Sequence, residues 1–484
     1  MDGLPLPSSS APARRFPITR RWRSLLVLLG CTLSLFLVMT NVRELRVVEL
    51  VFPPPVPEVT KVLPTALPRP TWTTPLPPNF YNWHDREKAL PQHNMDLPAP
   101  QGRHGRYIWF ANNVKNLGWG NVMQEIVLNA HLAYLAKRTY VFDNYTWEVT
   151  SEDYSDYNGK PIPARIPLTA LLAGPIAGDP FPPPDTTPPA VIPEFFDLVC
   201  VNRTVIDRET VNGPMPDASA AAIYQAWIEK LEAVEDPCVE IEKMSAQIFD
   251  FWLFGDSRRL LDVWPSLWKS PILQGFKWSP LITDAVEANR ELIHPAIAKN
   301  DAHREPLPGL LALHIRRGDF VDHCTHLANW SARFVGFNEF PQLPDKFVPP
   351  EGGGGGFNTD VGHAIYRSHC FPDIPQIVRK VMEVRESPGG HALRRVYVLT
   401  NGPREWLAEL KEALHLAAPW TSISTSRDLT ITHEQKYVAQ AIDMLIAQRA
   451  DVFIGNGFSS MTSNVVMVRQ AQNQNTDWDK IRFW

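Results

Sequence analysis

The sequence predicts an α/β protein of two doubly wound halves with parallel strands, set behind a membrane anchor and a proline-rich stalk. Three observations carry this. RYIWFAN, the loop VKNLGWGN, the periodic NVMQEIVLNAHLAYLAKR and TYVFDNYTW read as strand, loop, helix and strand over residues 106–147. The same grammar returns after residue 308 in LLALHI, RRVYVLTN, REWLAELKEALHL, QKYVAQAIDMLIAQRA and DVFIGN. An uncharged apolar run occupies residues 24–42, and a chain of 484 residues is too long for one ordinary core.

The elements follow in order. Arg14, Arg15, Arg20, Arg21 and Arg23 make residues 1–23 a cytosolic tail by the positive-inside rule, with 24–42 the anchor and everything after it lumenal. The rival, a cleaved signal peptide, is disfavoured by the length of the run and the lack of a small-x-small cleavage site. The expected address is therefore a Golgi or ER membrane, single-pass type II. Residues 43–104 are laden with proline (FPPPVPEV, LPTALPRPTW, TPLPPNF) and predict an extended stem. An N-terminal domain over 105–300 and a C-terminal domain over 301–484 follow, parted where KNDAHREPLPG breaks the pattern. GDPFPPPDTTPPAVIP and the glycine run 352–356 read as loops.

Sequons at Asn144, Asn202 and Asn329 agree with a lumenal address. Outside the anchor stand Cys200, Cys238, Cys324 and Cys370, an even number; three pairings are open, with Cys200–Cys238 and Cys324–Cys370 the local one. No CxxC or HxxxH spacing supports zinc as the rival use. A net charge of −5 argues against a nucleic-acid surface.

Against that charge, the arginine pair in LLALHIRRGDF needs a small anion. Strand alternation places His314 and Arg316 on one face, with Arg317 pointing away to tie down a carboxylate such as Asp319. A guanidinium fork suits phosphate, whereas a salt-bridged surface pair would not follow a fully apolar run. The RGD tripeptide as an integrin ligand is discounted, since it abuts a buried strand. A second constellation, Gly455-Asn456-Gly457-Phe458-Ser459-Ser460, sets hydroxyls and N–H groups at a helix start; alone it reads as an ordinary cap, and with the arginines as a diphosphate site. A third, Gly118-Trp119-Gly120-Asn121 with Gln124 and Glu125 following, is by itself a tight β-α turn with Asn121 as cap, at the carboxyl end of a strand where such sheets bind ligands.

Together the three resemble the superfamily of protein O-fucosyltransferases and α1,6-fucosyltransferases. His314-Ile-Arg316-Arg317-Gly-Asp319 is similar to its H-x-R-R-x-D segment, DVFIGNGFSSMTS to its F-x-G-N-x-x-S-S turn, and GWGNVMQEIVLNAHLAYLAKRTYVF to its G-x-G-N helix. The resemblance implies a GT-B fold of two facing Rossmann-like domains. It further implies GDP-fucose as donor, inversion at the anomeric carbon, no metal or other cofactor, and a glycan or glycoprotein acceptor. It places Arg316 on the β-phosphate, His314 against the nucleoside, Ser459 and Ser460 on phosphate, and Asn121 on the sugar or phosphate from the other domain. Asp443 matches an acidic position without a role. The chain departs from the α1,6 enzymes at Phe320 and Cys324, where they carry lysine and glutamate, which leaves Asp322, His323 and Glu125 as candidates for the base. Asp477-Trp-Asp479 has metal-site spacing but reads as solvated tail. Two alternatives stay open: another nucleotide-sugar donor, and a catalytically silent relative that binds glycans or a partner protein.

Overall fold

Alternation along one strand, Leu307–Ile315, organises the second half of the molecule. In the computed structural model, which describes residues 75–297 and 305–484, this strand is buried along almost its whole length. Leu311, Leu313 and Ile315 join one apolar cluster, while Leu310 and Ala312 join another on the opposite face. A strand covered on both faces loses the polar alternation of a surface strand, which is why LLALHI reads as a continuous apolar run.

The elements that position the site begin with helix α1 (Tyr81–Lys88). Strand β1 (Tyr107–Phe110), helix α2 (Trp119–Leu135), β2 (Thr139–Val141), β3 (Thr204–Ile206) and β4 (Cys238–Ile241) follow. These strands form a four-stranded parallel sheet in the order β2-β1-β4-β3. The second sheet uses β5 (Leu307–Ile315), β6 (Arg395–Thr400), β7 (Ser422–Thr425), β8 (Ala450–Gly455) and β9 (Ile481–Phe483) in the order β7-β6-β5-β8-β9, again all parallel. Its helices are α3 (Phe320–Asn329), α4 (Asp360–Cys370), α5 (Ile374–Glu386), α6 (Arg404–Ala417), α7 (Ala439–Arg449) and α8 (Ser460–Gln472). Both sheets lie in one unit, Trp72–Trp484.

Helices α5 and α6 cover one face of the second sheet, with Ile377, Val381, Leu407, Leu410 and Leu414 against Leu311 and Leu313. The other face belongs to a core that runs on into the first half, since Ile126 and Leu128 of α2 share it with Val465 and Val466 of α8. A helix buried on every side cannot be amphipathic, and α2, buried from Val122 through Ala133, shows this.

Several expectations change. Residues 80–104, expected as extended stem, belong to the folded part: Phe80 and Trp83 enter the core, and the Glu87 carboxylate accepts hydrogen bonds from the Thr169 amide (3.0 Å) and hydroxyl (2.9 Å). TYVFDNYTW is not one strand, because Tyr145–Thr146 leaves β2 to pair antiparallel with Arg165–Ile166. The long helix expected over 435–450 starts with a 3₁₀ turn at Gln435–Val438. The C-terminal tail is no loose end, since Ile481–Phe483 adds a parallel edge strand. The local disulfide pairing is the one formed, with Cα separations of 5.6 Å for Cys200–Cys238 and 6.0 Å for Cys324–Cys370, both within normal span. No helix among the described residues is long and apolar enough to cross a membrane, and the tail, the anchor and most of the stem lie outside the described residues.

Candidate active site

Strand β5 delivers its arginines to the carboxyl edge of the second sheet, where Gly318 turns the chain into α3 with φ of +62°. One residue before the end, His314 is buried with its Nδ1 2.8 Å from the Thr462 hydroxyl on α8. Its carbonyl accepts a 2.8 Å bond from the Trp484 indole. Burial, and then the Arg316 charge, hold the ring's pKa down at about 3, so it is a neutral imidazole.

Two residues on, Arg316 emerges on the same face with its side chain 32% exposed. Its guanidinium lies 4.8 Å from the centre of the Phe320 ring and meets Asp319 only at a long 3.4 Å. Its Nε is buried without a hydrogen-bond partner among the described residues. Burial pulls its pKa down and Asp319 pushes it back, yet a guanidinium keeps its proton at neutral pH.

Arg317 faces away as alternation requires, but Asp319 is not its partner. The turn at Gly318 carries Asp319 back toward Arg316. Arg317, 5% exposed, lies between the Trp406 ring (4.0 Å) and the Phe371 ring (4.5 Å) and donates to the carbonyls of Arg316 (3.0 Å) and Pro372. Asn401, at the end of β6, clamps the turn by accepting from the Arg317 amide (2.8 Å) and donating to its carbonyl (2.9 Å) and to Asp319 (3.3 Å). Sequence reasoning missed Asn401, although a polar residue closing the apolar strand RRVYVLTN was a visible signal.

Beside β5, strand β8 ends in the glycine-serine turn. A Cβ on Gly455 would stand 2.3 Å from Thr462, so only glycine lets the strand end pack there. The Asn456 amide donates to the Cys370 carbonyl (2.8 Å) and its oxygen accepts from the Phe458 N–H (3.0 Å), so this expected ligand residue is spent on shaping the turn. Ser459 precedes α8 without a side-chain capping bond and Ser460 opens the helix, which sets both hydroxyls at its positive end.

The third constellation comes to the same place from the other half of the chain. A Cβ on Gly120 would lie 2.7 Å from the Ser460 hydroxyl and 2.9 Å from the Met461 nitrogen, and the Gly120 carbonyl accepts from Asn464 of α8 at 2.7 Å. The two turns, some 340 residues apart in sequence, therefore touch. Asn121 stands half-buried as the third residue of α2, whose N-cap is Gly118 rather than Asn121.

The three base candidates separate. Glu125 is 2% exposed, its Oε2 accepts the Val114 N–H at 2.7 Å, and burial pushes its pKa up to about 8; it pins the loop after β1 and has no path to solvent. Asp322 is exposed on the first turn of α3. His323, its side chain open to solvent, meets the Phe320 ring at a tilt (5.0 Å), the ring beneath Arg316, and partial burial, with His326 and Arg316, lowers its pKa. Asp443 is buried and accepts from Tyr397 (2.7 Å) and Ser426 (2.8 Å), with burial raising its pKa to about 7.

A hairpin, Tyr154–Tyr157 with Lys160–Pro163, was also missed. Its turn residues Asn158 and Gly159 have φ of +53° and +76°, the signature that an Asn-Gly dipeptide announces. Its exposed Tyr157 lies close enough to interact electrostatically with Arg316. Among the described residues no group of three or more His, Cys, Asp or Glu is placed to hold a metal ion. Asp477 accepts from Asn473 (3.0 Å) and Asp479 is exposed.

The sequence profile of the GDP-fucose protein O-fucosyltransferase family matches residues 217–472, more than half of the chain. No curated protein matches in sequence. Among solved structures, the chain is similar to POFUT1 in complex with GDP-fucose, at 17% identity and a TM-score of 0.46, over 78% of this chain and 97% of that one. It is likewise similar to POFUT1 in complex with GDP, at 16% identity and a TM-score of 0.45, over the same shares.

Proposed function

The chain belongs to the GDP-fucose protein O-fucosyltransferase family, and from that premise we propose that it moves fucose from GDP-fucose to a glycan or protein hydroxyl with inversion, on a GT-B architecture. The observation that carries the reading is Arg316: a partly exposed guanidinium at a buried strand end, loosely held by Asp319 and with its Nε unpaired. As the bond from the fucose anomeric carbon to the diphosphate breaks, negative charge grows on the departing phosphate, and a fixed cation there stabilises the transition state more than the ground state. The hydroxyls of Ser459 and Ser460 and the start of α8 share the diphosphate. Asn121 approaches from the first half, and neutral His314, expected against the nucleoside, is instead buried on Thr462 and supports the strand end that carries Arg316. Asp319, Gly120, Gly455 and Asn456 shape this pocket rather than react in it, and Arg317 braces the strand end from the opposite face.

His323 is the base in this scheme. The acceptor oxygen attacks the anomeric carbon from the side opposite the diphosphate, and its proton passes to the imidazole, whose lowered pKa keeps it unprotonated at neutral pH. Exposed Asp322 is the second candidate. The reaction runs without a metal. The arginine-flanked apolar run, three sequons and two disulfides support a type II protein of the Golgi or ER membrane.

Incubating the full-length protein with a panel of nucleotide sugars and acceptors, and measuring nucleotide release, tests this. GDP released from GDP-fucose, with fucose recovered on the acceptor, is expected. Preference for a UDP-sugar would move the donor, and no turnover with any donor would leave a silent relative.

A further inference from the structure

Two concavities that the proposed reaction does not use run together along α4. One, of about 440 Å³, lies between α3 and α4, with Asp360, His363 and Arg367 on its walls. The other, of about 870 Å³, lies between α4, the start of α5 and the start of α6, with Trp406, Phe371, Asp373 and Glu409 on its walls. Ala364 and Arg367 line both, so they form one groove along the exposed side of α4. Either size alone falls within the roughly 300–1,000 Å³ of ligand clefts. The groove ends at Gly318, two residues from Arg316, around the edge of β5 from the proposed diphosphate pocket.

We propose that this groove holds a neutral oligosaccharide, the portion of a glycan acceptor beyond the sugar that reacts. The direction of the chain rests on Arg316 marking the reaction centre; the groove itself does not. Its charges come within one of cancelling: Arg317 and Arg367 against Asp360, Asp373 and Glu409, beside the His363 imidazole. That disfavours polyanions and polycations and suits a ligand whose hydroxyls both donate and accept. The half-buried Trp406 ring supplies a flat apolar surface for the C–H face of a sugar, and Arg317, wedged between Trp406 and Phe371, keeps that indole fixed before a ligand arrives. A peptide would seek an open strand edge or a socket for an apolar anchor. Here α4 and α6 flank the groove, and the neighbouring strand β6 is paired on both sides by β5 and β7. The Cys324–Cys370 bond ties α3 to the end of α4 and holds the first concavity open at a set width.

Arg367 and Glu409 are exposed, and neither side chain forms a hydrogen bond or ion pair with the described residues, so Arg367→Ala and Glu409→Ala leave the fold intact. The full-length protein is applied to an array of immobilised neutral oligosaccharides ending in glucose, galactose, mannose or N-acetylhexosamine, and in parallel to an array of unmodified peptides. Oligosaccharide binding is expected, weakened about tenfold or more by Arg367→Ala as a charged hydrogen-bonding arm is lost, with GDP affinity unchanged and the peptides blank. Binding to none of the oligosaccharides, equal binding by both variants, or peptide capture abolished by Arg367→Ala overturns the proposal. GDP release from GDP-fucose is scored separately. A protein that turns over the donor but ignores every oligosaccharide loses the groove and keeps the fucosyl reading, whereas Arg367-dependent glycan binding without turnover does the reverse.

Discussion

Arg316 and Arg317 leave the same strand in succession and meet opposite surroundings. On the α5 and α6 side, Arg317 is saturated: two rings, two carbonyls and almost no solvent. On the α8 side, Arg316 is left short, with one ring, one long contact to an exposed carboxylate and an unpaired Nε. A buried cation is expensive unless its bonds are made, so evolution satisfies those that serve the fold. One left partly exposed at a strand end, with only a long contact to Asp319, is free to take a ligand. On the proposed reading, one arginine serves stability and its neighbour chemistry, and the Asn401 clamp on the Gly318 turn fixes the chain between them.

The comparison can be broken in graded steps. Arg316→Lys keeps the charge but not the fork, and turnover of GDP-fucose is expected to fall by roughly 10²-fold while the thermal midpoint stays near the parent's. His323→Asn is expected to cost about 10² in kcat at neutral pH, the lower range for a lost general base. The parent's rate should drop on acidification with an inflection below the ordinary 6.5, because the lowered pKa delays protonation, and the variant's profile should be flat there. Arg317→Ala should show the opposite pattern: a stability loss of roughly 2–3 kcal/mol in denaturant titration as its stacks and hydrogen bonds go, with turnover per folded molecule near parental.

Smaller still is the effect at Glu125. Its pKa rises from 4.5 to about 8 on folding, so the folded state holds a proton that the unfolded chain releases between those values, and this contribution weakens stability as pH rises through the window. Glu125→Gln keeps the acceptor for Val114 and should gain stability over the parent from pH 4.5 upward, with none gained below it and turnover unchanged; a collapse in turnover would restore Glu125 as the base. EDTA should change the rate least of all.

How much of this was legible follows from which contacts are local. The faces of β5, the α2 unit and the serine turn were readable because hydrophobic period and turn chemistry lie within a few residues. The partner of Asp319 was not, because it depends on the sense of the Gly318 turn and on Asn401, more than eighty residues on. Asn456 read as a ligand residue and Glu125 as a candidate base until the structure supplied their partners at Cys370 and Val114. β3, β4 and the edge strand β9 are too short to stand out by pattern, and they pair only because the sheet is already there. The contact of Gly120 with Ser460, which brings two of the three motifs together, is purely tertiary.

The central claim is that Arg316 meets the charge on a departing diphosphate. Its most direct test is GDP release from GDP-fucose by Arg316→Ala beside the parent and Arg317→Ala, each at a temperature where circular dichroism shows it folded. The account predicts a loss of roughly 10²- to 10³-fold in kcat for Arg316→Ala alone. A folded Arg316→Ala protein that releases GDP at the parental rate would contradict it.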